Sequence, residues 1–167
     1  MNNAGIFTTI QLNSNITFQA NILISRDGHP MLMDFGNASL EDPILRFTQT
    51  NTRPSISHRW AAPEILMGTS SHTTAGDIYS LGMTILEAYT SQIPFPHRTD
   101  HSLFMHIVIE KSHPIRPQNS IPINSKDGEK LWNILTRCWS YDPKDRPNAE
   151  TVWKEMKEIT LENLKEI

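Results

Sequence analysis

The chain has 167 residues, of which 38% are hydrophobic and 20% charged, and its formal net charge is −3. That is one ordinary domain with enough apolar matter for a sizeable core, and it is not the composition of a disordered segment. The charge provides no basic field for nucleic acid and no polybasic stretch for a membrane surface. One cysteine, Cys138, excludes an internal disulfide and suits a reducing compartment.

Residues 1–25 hold no charged side chain, the first being Arg26, and follow neither a helical nor a strand period. No Lys or Arg precedes the short apolar patch Gly5–Ile10, so the start does not read as a signal peptide. No apolar run approaches the ~20 residues that span a bilayer. A cytoplasmic protein with no membrane partner and no nucleic-acid partner is expected.

Ile22–Ser25 and Met31–Asp34 are short apolar runs around Arg26-Asp27-Gly28-His29. Asp-Gly supplies the positive φ of a tight turn, so a β-hairpin is expected there. From Asn37 to Arg59 the chain is polar, carries Pro43 and Pro54, and reads as a long surface loop. Asp77 to Tyr89 reads as a helix apolar almost all round (Ile78, Tyr79, Leu81, Met83, Ile85, Leu86, Ala88), hence central and buried. Asp100–Lys111 carries Leu103 and Ile107 at helical spacing, and Glu129–Trp139 places Leu131, Leu135, Cys138 and Trp139 on one stripe. Asn148 can cap a last helix with Val152, Met156 and Ile159 facing inward. The seven histidines lack ligand spacing on any helical face, and no second cysteine joins them.

Several motifs fall in one order. Asn21 precedes Asp34-Phe35-Gly36 by thirteen residues, then come Ala62-Pro63-Glu64, Asp77 in an Asp-Ile-Tyr-Ser-Leu-Gly run, and Asp145-Arg146-Pro147. Together they resemble the C-terminal lobe of a protein kinase. Arg59-Trp60 ahead of Ala62-Pro63-Glu64, with Cys138-Trp139 and Asp142-Pro143, resembles the tyrosine-kinase-like group. The implied fold is mainly α, one β-hairpin plus four to five helices, a truncated kinase-like lobe. The implied organisation is an atypical uncharged segment over 1–18 and the kinase-domain part over 19–165. The motif match starts in mid-motif, which favours a seam near Gln19–Asn21 over a merely divergent terminus.

The resemblance implies roles. Asp34 and Asn21 would hold the magnesium ions of Mg-ATP, both being oxygen donors suited to a hard cation, and Leu23 would floor the adenine pocket. Phe35, Gly36, Thr48, Thr50, Thr52, Ser55 and Ser57 would belong to the activation segment, and phosphorylation there would need an arginine where Asn15 stands. Glu64 and Arg146 would form a buried ion pair, and Asp77 would accept backbone N–H groups of the catalytic loop.

The catalytic loop itself departs from the family. The positions of its aspartate and lysine hold Ile16 and Phe18, and no Gly-x-Gly-x-x-Gly occurs. Isoleucine has no lone pair to accept a substrate proton. No catalytic residue is therefore expected in this chain, and none of the family's Mg-ATP is expected to bind to it alone. Three rivals remain: a truncated kinase that phosphorylates proteins, a pseudokinase-type module binding a partner kinase or regulator through Asp100–Lys111, and a small-molecule phosphotransferase, which the Ala-Pro-Glu and Arg-Pro motifs disfavour. The helix from Asp77 is expected to lack cover on one side, leaving two or three apolar side chains bare and the chain prone to self-association.

Overall fold

A computed structural model describes residues 22–27, 30–32, 58–70, 73–160 and 162–164 of the chain. Strands β1 (Ile22–Ile24) and β2 (Pro30–Leu32) pair antiparallel with Leu23 opposite Met31. Pro30 stands at the first position of its strand, where its missing N–H is tolerated. Gly28 and His29, which would complete the turn between the strands, lie outside the described residues, as do the segments 1–21 and 33–57.

Three of the five α-helices start where a side chain accepts one of their free N–H groups. The short α1 (Pro63–Leu66) has proline in its first turn, where no N–H is needed. α2 (Thr74–Thr90) is capped by Thr73, whose hydroxyl accepts the Gly76 N–H at 3.0 Å, so it begins three residues before the apolar period does. It stops at Ser91, whose φ of 55° is left-handed. α3 (Asp100–Phe104) runs on into a π-helical turn, Met105–Ile109. α4 (Lys126–Cys138) is capped by Ser125, and α5 (Ala149–Met156) by Asn148, whose Oδ1 accepts the Thr151 N–H at 2.9 Å. Among the described residues these are the five α-helices, with one 3₁₀ turn at Pro143–Asp145.

α2 is the axis of the core and packs chiefly on α4, which packs in turn on α5. Ile78, Tyr79, Met83, Ile85 and Leu86 of α2 are buried with Leu131, Ile134, Leu135 and Cys138 of α4 and Val152 of α5. Each such aliphatic side chain contributes ~1.5–3 kcal/mol of transfer free energy, which explains why the apolar period survives in the sequence.

The expected bare side of this helix is not found to that extent. Of its large apolar residues Leu81 alone, 38% exposed, is left open among the described residues. Exposure gathers elsewhere, at Phe104, Met105 and Ile109 of α3 and its π turn and at Ile115, which is 91% exposed. The π turn inserts one residue per turn beyond the α period, so the stripe rotates and Met105 and Ile109 come to the outside.

Candidate functional site

The described part of the site is the seat of the Ala62-Pro63-Glu64 motif, and two arginines and one tryptophan build it. Arg146 follows the 3₁₀ turn and its side chain is fully buried. Its guanidinium faces Glu64 with two parallel bonds, Nη1–H to Oε1 at 2.6 Å and Nη2–H to Oε2 at 2.8 Å. Arg146 Nε–H also donates to the Ser140 carbonyl at 2.8 Å, and Nη1–H to the Ala75 carbonyl at 2.9 Å. The Tyr79 ring lies under the guanidinium at 5.2 Å. Burial, which outweighs the lowering by Arg146, pushes the Tyr79 hydroxyl pKa up. A carboxylate and a guanidinium that far from water stand only because almost every donor has an acceptor.

Arg59 holds the other flank. Nη1–H donates to the carbonyls of Pro94 and Phe95 at 3.0 and 2.8 Å, and Nη2–H to the Arg98 carbonyl at 2.8 Å and Asp100 Oδ1 at 2.7 Å. It thereby fixes the loop between α2 and α3, in which Phe95 adopts φ 55° and turns its ring into the core against His106 at 5.4 Å. A side-chain residue in the left-handed region costs roughly 1–2 kcal/mol, and the Arg59 bonds hold it there.

Trp60 sits over α2. Its indole N–H donates to Glu87 Oε2 at 3.1 Å, and Ser80 donates its hydroxyl to the Trp60 carbonyl at 2.8 Å. Glu87 is 3% exposed, and no cation pairs with it among the described residues. Burial raises its pKa above 4.5, and the Trp60 bond offsets only part of that. A carboxyl raised in the folded state gives its full stability below the unfolded pKa and loses it as pH rises through the folded value. Glu87→Gln, which keeps an acceptor for Trp60, is therefore expected to gain on the parent as pH climbs from 5 to 8. Urea midpoints of the two proteins across that range check this, and a constant gap would show that Glu87 is not a strained buried anion.

The sequence-predicted residues divide sharply. Glu64 and Arg146 are brought together. Asp77 stands exposed in the first turn of α2, and the loop it was expected to bind lies outside the described residues, as do Ile16, Phe18, Asn21, Asp34, Phe35, Gly36, Thr48, Thr50, Thr52, Ser55 and Ser57. Leu23 lies on β1, with its side chain outside them too. Among the described residues no cluster of His, Cys, Asp and Glu could hold a metal ion, and no helix is long and apolar enough to cross a membrane. Glu87 carried a signal that went unread, a carboxylate far inside a helix that is apolar almost all round. Sequence reasoning quoted Arg59 as part of a motif without a role, because its acceptors are mostly backbone carbonyls and leave no mark in the sequence.

Comparison with known proteins places this geometry. The profile of the protein kinase domain matches residues 19–156. The protein kinase and PP2C-like domain-containing protein of Oryza sativa subsp. japonica is 30% identical over an alignment that takes in 84% of this chain and 25% of the relative. Mitogen-activated protein kinase kinase kinase A of Dictyostelium discoideum is 34% identical, covering 81% of this chain and 13% of the relative. The serine/threonine-protein kinase TNNI3K of Mus musculus is 28% identical, covering 83% and 16%. The chain thus spans a quarter or less of the length of these relatives.

Proposed function

This chain belongs to the protein kinase domain family, and on that premise we propose that it is the C-terminal-lobe part of a tyrosine-kinase-like kinase domain, not competent for phosphoryl transfer by itself. The complete domain of the family passes the γ-phosphate of ATP to a Ser, Thr or Tyr hydroxyl of a protein. The observation that carries the lobe assignment is the buried bidentate pair of Glu64 and Arg146, two residues 82 positions apart, each inside its own motif. Inactivity rests on Ile16 and Phe18, which offer neither a proton acceptor nor a cation where the family has an aspartate and a lysine.

Asn21 and Asp34 suit magnesium as a donor set, since an amide oxygen and a carboxylate are both hard ligands. In the family they bind the metal that bridges the phosphates, which neutralises charge developing during transfer. Two ligands without the residues that clamp the nucleotide make a weak site. Calorimetric titration with Mg-ATP is expected to give no saturable heat, and incubation with labelled ATP and a protein substrate no transfer. Micromolar binding would overturn the proposal.

A second reading, of a different class, is a pseudokinase-type module that docks a kinase or regulator through α3 and its π turn. The exposed Phe104, Met105 and Ile109 favour it. The transcript separates the two: an in-frame His-x-Asp-Leu-Lys ahead of the Asn21 codon supports a kinase, and its absence supports the module.

A further inference from the structure

The stretch after α5 is fastened to the start of α4 by one carboxylate. Asp127, the second residue of α4, is 6% exposed. Its Oδ2 accepts the Thr160 backbone N–H at 3.0 Å, the Thr160 hydroxyl at 3.2 Å and the Asn163 side-chain amide at 3.2 Å. Beside it the Ser125 hydroxyl donates to the Asn163 carbonyl while accepting the Gly128 N–H at 3.0 Å. On either side of these bonds Ile159 and Leu164 drop into the core, 2% and 7% exposed. The residue at the hinge, Thr160, is itself exposed.

Two cations near this fastening are already engaged, Lys130 with Glu158 and Arg116 with Glu129. The Thr160 backbone bond, opposed by burial and helped by the Asn163 and Thr160 side chains and Lys130, holds the Asp127 carboxyl below its usual range, so it is anionic at neutral pH. Among the described residues, the buried hydroxyl of Tyr89 of α2 has no hydrogen-bond partner. Its pKa is pushed up to about 12, by burial first and by the charge of Asp127 second. That hydroxyl is a donor near Asp127 with nothing to donate to while the strap is closed.

We propose that Thr160 is a phosphorylation site whose modification releases the C-terminal strap from Asp127. A protein kinase acting in trans, with ATP as donor, forms the bond from Thr160 Oγ1 to the γ-phosphorus. The bond from that phosphorus to the β–γ bridging oxygen breaks, ADP leaves, and the hydroxyl proton passes to the modifying kinase's base. Glu158 and Glu162 flank Thr160 two residues away on either side, which suits a kinase with a basic substrate groove. The phosphate brings about −1.5 to −2 charges and removes the donor, so an attraction to Asp127 becomes a repulsion. The strap then lifts, Asp127 turns to the idle Tyr89 hydroxyl, and Ile159 and Leu164 leave their seats in the core.

The test uses the full chain and hydrogen–deuterium exchange read by mass spectrometry. Thr160→Glu is expected to speed exchange over residues 158–164 by about tenfold or more with α2 amides unchanged, because only local opening is involved. Thr160→Val, which removes the hydroxyl but adds no charge, is expected to change it by less than about threefold. In an Asp127→Asn background Thr160→Glu is expected to add nothing. Treatment of the parent with an acid-directed kinase and ATP is expected to add one phosphoryl group mapping to Thr160. Equal exchange in the Glu and Val variants, exchange that rises equally in α2, or no phosphate on Thr160 would each overturn the proposal.

Discussion

Replacing Arg146 by alanine is expected to lower the unfolding free energy by ~3–5 kcal/mol, the cost of leaving a buried charge without its partner. Two carboxylate oxygens and the carbonyls of Ser140 and Ala75 lose their donor together. Glu64→Ala is expected to cost somewhat less. The guanidinium it leaves behind keeps the Ser140 and Ala75 carbonyls and the face of Tyr79, whereas the carboxylate left by Arg146→Ala keeps none of these bonds. The double variant should fall short of the sum, since the second change removes a group already orphaned. Arg146→Lys is not expected to rescue, because one ammonium cannot form two parallel bonds and reach two further carbonyls. Urea midpoints of the four variants decide. If both alanine variants melt with the parent, this pair does not hold α1 to the 3₁₀ turn.

The pairing of Glu64 with Arg146 was legible only through the family resemblance, because no periodicity links residues 82 apart. Four of the five helices were legible from the residues themselves, through apolar side chains recurring at helical spacing, whereas the four-residue α1 is too short to show a period. What blurred their edges was local chemistry with several equal solutions. Thr73 and Thr74 could each cap α2, and the choice between them moves the start by one residue. The π turn after Phe104 was not legible, because Leu103 and Ile107 keep the same spacing in either helix. Asp127 was hidden for a different reason. Its partners are a backbone N–H, a hydroxyl and an amide beyond the last helix, none of which carries a charge to suggest a partner.

Gly82→Ala is expected to destabilise the fold even though alanine is the better helix former. In an exposed helix interior the exchange would gain about 1 kcal/mol. At Gly82 a Cβ would lie 2.7 Å from Trp139 Nε1 and 2.8 Å from Cys138 Cβ. Neither atom can swing aside: Cys138 Cβ is fixed to the backbone of α4, and the Trp139 ring is 1% exposed. Relief therefore requires α2 and α4 to part, which loosens the contacts of Met83, Leu131 and Leu135 along the same seam. Overpacking of this kind costs ~1–3 kcal/mol, and more where backbone must move, so the clash outweighs the propensity gain. Gly76 on the same helix supplies the control. There the nearest atoms to a Cβ are Thr73 Oγ1 at 3.2 Å and Ile65 Cγ1 at 3.6 Å, a fit that needs a shift of only a few tenths of an ångström. Gly76→Ala is accordingly expected to be near neutral, and Gly82→Ala to lower the urea midpoint and alter tryptophan emission. Equal midpoints for the two variants would mean that α2 and α4 do not meet at Gly82 as closely as the packing of Trp139 requires.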